Sequence, residues 1–161
     1  MKPKDKRPRY KDVYEFTDIA VKGFFQEHRF LSNFHLCEIE YEGRFYPSTE
    51  NAYQAAKFPN SIRKKFEMIS PKDAKALGST LKMNKEQIER WNQKRLDVMR
   101  DLTYIKYQDP TLKQMLLETG DRYLEETNTW QDVYWGVYSG FGENQLGKLI
   151  MEVRASCNPE K

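Results

Sequence analysis

The 161 residues suit one domain of ordinary size, large enough to bury a core without disulfides. No apolar run approaches the roughly 20 residues that span a bilayer, and the basic N-terminus lacks the apolar segment of a secretory signal. The net charge of +3 belongs to a tail: residues 1–11 carry Lys2, Lys4, Lys6, Arg7, Arg9 and Lys11 against Asp5, leaving 21 basic and 23 acidic side chains elsewhere. That arm is most simply a disordered solubilising extension, with a weak electrostatic contact to nucleic acid as its alternative. Two cysteines, Cys37 and Cys157, and two histidines, His28 and His35, form no zinc-type spacing. No disulfide, metal or other cofactor is expected, and a reducing, cytoplasmic compartment is the default.

In chain order, Val13–Phe16 and Val21–Phe25 are short aromatic and β-branched runs that predict strands. His28 to Phe34 reads as a loop. Cys37, Ile39 and Tyr41 alternate with Glu38, Glu40 and Glu42 as in a half-buried strand, and Glu42-Gly43 is a hairpin turn leading back through Arg44–Tyr46. Ser48 or Thr49 then caps a short helix. Its alanines at 52, 55 and 56 favour helix and permit close packing, while Glu50, Tyr53, Gln54 and Lys57 fall on one face at i, i+3, i+4 and i+7. Taken by itself, such a polar stripe is most simply a solvent-facing surface.

Further helices are predicted from Asn60 to Ile69, from Pro71 behind a Ser70 cap to about Gly78, from the Asn84–Gln87 capping box to about Tyr107, and over Thr111–Thr119. Tyr123–Asn128 and Tyr134–Tyr138 read as strands. A last helix follows Gly142-Glu143-Asn144 with Leu146, Leu149, Ile150 and Val153 as its apolar face. The pattern predicts one compact α+β domain, mainly helical, with a small antiparallel sheet.

No phosphate-binding glycine loop or nucleophile elbow is present, and two histidines give imidazole chemistry few candidates. The chain offers instead carboxylates, a lysine and tryptophans among Gly- and Asn-containing turns. Such a set suits cleavage at an anomeric carbon, where a carboxyl protonates the leaving group or activates water and a lysine attacks the sugar or holds an anion. In a strand, Glu125 and Glu126 point to opposite faces, so at most one faces a pocket. Asp132 is equally a turn former, Trp135 equally a core anchor, and the Gly140–Lys148 segment either an anion site or a plain helix cap.

From about Phe24 to Arg154 the chain resembles the NADAR family. The matching segments are Phe30-Leu31-Ser32-Asn33-Phe34, Ser48 through Phe58, Trp91 with Arg95 and Met99, Thr119 through Gly136, and Gly142 through Arg154. The resemblance implies a domain over 23–156, preceded by a partly flexible arm and first strand over 1–22 and followed by a tail over 157–161. It also implies hydrolysis of a ribosyl–base N-glycosidic bond. The expected substrate is a small phosphoribosylated riboflavin-pathway intermediate. The alternatives are ADP-ribose on guanine in nucleic acid, or non-catalytic binding of ADP-ribose or a nucleotide. Glu50 would be the principal acid or base, Lys57 a nucleophile giving a Schiff base, and Asp132 a second carboxylate. Substrate contacts would come from Ser32, Asn33, Tyr53, Trp91, Arg95, Glu126, Trp135 and Asn144, with Trp91 and Trp135 stacking on the base and sugar. Asn51 stands where many relatives carry histidine, so no imidazole is expected there. Seven residues separate Glu50 from Lys57, about 10 Å along a helix axis, so the two should flank a sugar rather than bridge to each other.

Overall fold

The computed structural model describes residues 14–158. The basic arm expected over 1–11, Val13 of the first expected strand and residues 159–161 lie outside the described residues. Four helices start where the sequence supplies a side-chain cap: Ser48 accepts from the Asn51 N–H, Ser70 from Asp73, Asn84 from Gln87 and Asp109 from Leu112. These open α1 (Thr49–Ala56), α3 (Pro71–Thr80), α4 (Lys85–Lys106) and α5 (Pro110–Glu118), with the Asn84/Gln87 capping box complete. Each cap satisfies an amide that the helix cannot pair internally.

The strands are β1 (Glu15–Phe16), β2 (Ala20–Lys22), β3 (Ile39–Tyr41), β4 (Arg44–Tyr46), β5 (Tyr123–Glu125), β6 (Thr127–Asn128) and β7 (Val137–Tyr138). The β3–β4 hairpin turns through Glu42 and Gly43 at φ 48° and 79°, the doubly positive geometry of a twist-matched two-residue loop. β1 pairs antiparallel with β2, but β2 pairs parallel with β5 and β6 with β7. The small sheets are therefore mixed, because the β2–β5 partners are joined through the whole helical region rather than by a hairpin. The fold is α+β, one compact unit dominated by helices.

At its centre lies α1, all eight of whose residues are buried. Ala52 and Ala55 are fully enclosed, which lets α3 and α4 pack closely on either side. Asn51, also fully buried, donates from Nδ2 to the Phe66 and Ile69 carbonyls, both at 2.8 Å, and ties α1 to the next segment. That segment is α2 (Asn60–Arg63) and a 3₁₀ turn over Lys64–Phe66 rather than one helix. The closing helix, α6 (Gln145–Cys157), buries Leu146, Leu149, Ile150 and Val153.

Three local expectations are corrected. The stretch from His28 is not loop: Gln26–Leu31 forms a 3₁₀ helix that buries His28 and Leu31, three residues apart and eclipsed in that geometry. Only Val137–Tyr138 of the expected 134–138 strand pairs, because Asp132 Oδ1 accepts from the Tyr134 and Trp135 amides at 3.0 and 2.9 Å. Those donors are unavailable to a ladder. Gly78 does not end α3, which continues to Thr80; a Cβ there would lie 2.0 Å from Gln54 Oε1, so the glycine admits a side chain from α1.

Candidate active site

A cavity of about 620 Å³ opens between α1, α3, the 3₁₀ helix and the loops around β6. The polar stripe of α1 forms one wall, with Glu50, Tyr53, Gln54 and Lys57 all lining it. Ser32 and Asn33 enter from the turn after the 3₁₀ helix, and Glu126, Asp132 and Trp135 from the opposite loops. All three expected catalytic residues and five of the eight expected contacts therefore meet in one space.

Glu50 is buried, and its Oε1 accepts from Gln54 Nε2 at 2.8 Å. Its backbone N–H donates to the Asn33 carbonyl at 3.0 Å, fastening the Ser32–Asn33 turn to the start of α1. Burial raises the Glu50 pKa; the Gln54 hydrogen bond and the Lys75 and Lys57 charges oppose that rise, while Asp132 adds to it. Lys57 closes α1, and its Nζ lies 5.5 Å from the Tyr53 ring centroid. Burial lowers its pKa, with Arg95 and Lys75 acting in the same direction and Glu50 against. Among the described residues no ion pair joins Glu50 to Lys57. Two groups of opposite charge thus both shift toward their neutral forms, because removal from water disfavours either charge.

Glu126 is the third acidic group. Burial first, then the Asp132 and Glu50 charges, push its pKa up to about 8, and its buried Oε2 has no hydrogen-bond partner. Asn144 sets its position: Oδ1 accepts from the Glu126 N–H at 3.0 Å, and Nδ2 donates to the Leu124 carbonyl at 2.9 Å. Gly136 allows the approach from the other side, since a Cβ there would lie 2.1 Å from the Glu126 carbonyl oxygen. Asp132 is half-buried and held through its backbone, which donates to Asn128 Oδ1 at 3.0 Å and accepts from Nδ2 at 2.8 Å.

Three expected contacts lie outside the cavity lining. Trp91 is buried behind Tyr53, at 5.1 Å between centroids. Arg95 places its guanidinium carbon 3.6 Å from the Tyr134 ring centroid and acts on the site only as a nearby charge. Asn144 spends its side chain on the β5 end. The α6 N-terminus is likewise no open anion site. The amides of Glu143, Asn144, Gln145 and Leu146 donate to the carbonyls of Val133, Gly136, Tyr134 and Trp135. His28 packs on Phe16 at 4.4 Å, and neither histidine lines the cavity.

The structure also adds residues that sequence reasoning missed. Arg29, Lys72 and Lys75 bring three cations into the lining, with Phe34 and Trp130 among the added rings, while Gln54, already on the α1 stripe, holds Glu50. Lys72, Lys75 and Ser79 recur at i, i+3 and i+7 on α3, a one-faced pattern visible in the sequence. Nothing in it showed that this face meets α1. Behind the lining, fully enclosed Lys106 donates from Nζ to the Ser32 carbonyl at 2.9 Å. Burial lowers its pKa to about 8. No group of three or more His, Cys, Asp or Glu side chains is gathered for a metal among the described residues, and no described helix is long and apolar enough to cross a membrane.

An α+β domain whose single central helix presents a carboxyl and an amine to a cavity, opposite two further carboxyl groups, defines a class equipped for acid–base or covalent chemistry. This chain belongs to the NADAR domain family, whose model matches residues 20–158. It is 37% identical over 133 residues to a Vibrio vulnificus (strain YJ016) protein named riboflavin biosynthesis protein. The match covers 80% of this chain but 35% of that protein, so the chain spans about a third of that relative's length. It is 31% identical over 157 residues to the N-glycosidase YbiA of Escherichia coli (strain K12), covering 95% of this chain and 96% of that protein. The NMR structure of E. coli YbiA superposes with a TM-score of 0.72 at 28% identity, covering 89% of this chain and 87% of the other.

Proposed function

We propose that this protein, a hydrolase acting on N-glycosyl compounds, cleaves the bond between ribose C1′ and the base nitrogen of a phosphoribosylated riboflavin-pathway intermediate. The class is supported by near full-length likeness to proteins named N-glycosidase, and the substrate by a relative named for riboflavin biosynthesis. The carrying observation is the meeting of Glu50, Lys57, Asp132 and Glu126 around one cavity.

In this reading Glu50, whose pKa burial raises, gives a proton to the departing base nitrogen as the C1′–N bond breaks. The neutral amine of Lys57 forms a bond to C1′, and ring opening turns that adduct into an iminium. Water then adds to C1′, releasing the sugar and restoring the amine. Asp132 stabilises positive charge developing at the anomeric carbon. Glu126 is a second protonated carboxyl within reach of the substrate, and Ser32, Asn33, Tyr53 and Trp135 line the sugar and base.

Besides Lys57, the three cations Arg29, Lys72 and Lys75 line the cavity. That number supports a second reading, in which the substrate is ADP-ribose linked to guanine in nucleic acid and the diphosphate takes the additional cations. Incubating the protein with each substrate and identifying the sugar released separates the two. Ribose 5-phosphate from the phosphoribosylated intermediate is expected. ADP-ribose alone would favour the second reading, and binding with no release from either would overturn the enzymatic account.

A further inference from the structure

A ribosyl–base hydrolase needs a place for the base, and of the two tryptophans expected to supply it only Trp135 reaches the cavity. Trp91 lies outside the cavity lining. Trp135 lines it, but Tyr53 and Tyr134 engage its ring edge-on, at 5.6 Å and 88° and at 4.8 Å and 80°.

A different pair of rings lines the same space. Phe34 follows the 3₁₀ helix, and Trp130 stands in the loop after β6. Both lie against one group, the Lys75 ammonium, whose Nζ is 5.8 Å from the Phe34 centroid and 5.4 Å from the Trp130 centroid. Trp130 is 39% exposed, which sets it at the solvent edge of the cavity. Lys75 makes no ion pair among the described residues, so its long side chain is held there by ring contacts of modest strength. When it swings aside, the parts of the two rings it covers and its own donor are presented together to the cavity.

A planar heterocycle suits that arrangement. Its π faces replace the ammonium against the rings. The lysine, which has donors and no acceptor, then hydrogen-bonds an exocyclic carbonyl oxygen. We propose that Phe34, Trp130 and Lys75 form the subsite for the leaving base, and that this subsite favours keto-bearing bases over bases carrying only an amino group at that edge. The assignment rests on the N-glycosidase reading, which puts the sugar between Glu50 and Lys57.

The test is calorimetric binding of guanosine 5′-monophosphate, adenosine 5′-monophosphate and ribose 5-phosphate to the full chain and its Trp130→Ala, Trp130→Phe and Lys75→Met variants. Trp130→Ala is expected to weaken the guanosine nucleotide roughly 5- to 150-fold, and Trp130→Phe to restore most of the loss. Lys75→Met should erase the preference for the guanosine over the adenosine nucleotide. Ribose 5-phosphate affinity should be unchanged in all three. Equal weakening of all probes would mean that Lys75 serves the phosphate or that the fold is damaged, and it overturns the assignment. So does undiminished guanosine nucleotide binding by Trp130→Ala, or none by the wild type. Hydrolysis is judged separately by product release, so the two readings fail independently.

Discussion

Glu126 and Lys57 show how burial around one cavity moves an acid and a base toward neutrality. A carboxyl whose folded pKa exceeds its unfolded value binds its proton more tightly in the native state, so stability falls as pH rises through that interval. For Glu126 the interval runs from the ordinary 4.5 to about 8. Glu126→Gln should therefore melt with the wild type near about pH 4, below that interval, and above it at pH 8. A variant melting below the wild type at pH 8 would contradict the buried, unpaired carboxyl. Lys57 is lowered by burial, so more of its amine is free to attack than in an exposed lysine. Borohydride added during turnover should trap a sugar adduct on the wild type and none on Lys57→Ala, read by intact mass. An adduct on the variant would place the nucleophile elsewhere; none on the wild type would favour direct attack by water.

At the scale of elements, local chemistry was legible and tertiary competition was not. Ser48, Ser70, Asn84 and Asp109 open their helices as expected because a cap acts within one turn. The 134–138 strand was misjudged because Asp132 takes two amides that the alternation of side chains does not reveal. This double duty makes a prediction that separates charge from turn. Asp132→Asn keeps a carbonyl oxygen for the turn, so its melting temperature should match the wild type while turnover falls about 10²-fold or more. Asp132→Ala should lose the same activity and also about 1 kcal/mol of stability, measured by chemical denaturation. Equal stability of the two variants would remove the turn from the account. Gly78 teaches the same lesson: its meaning lay in Gln54 on another helix, not in the propensity of its own.

At the scale of the whole molecule, the α+β class and the one-faced polar stripe of α1 were readable, but the stripe by itself read as a solvent-facing surface and only the family resemblance made it a cavity wall. The rest of the site depends on which faces meet. Lys72 and Lys75 reach the cavity only because α3 packs on α1, and Trp91 and Arg95 stand outside its lining, against Tyr53 and Tyr134 respectively. Asn144, an expected ligand contact, proves to be the clamp that aims Glu126. All of this converges on α1 as the helix that brings an acid and an amine to one cavity. The most direct measurement is release of free base and ribose 5-phosphate from a phosphoribosylaminopyrimidine by the wild type and by Glu50→Gln. The wild type should release both products in equal amounts. Glu50→Gln, with an unchanged melting temperature, should be slower by about 10²- to 10⁴-fold. A correctly folded Glu50→Gln that turns over at the wild-type rate would contradict the account.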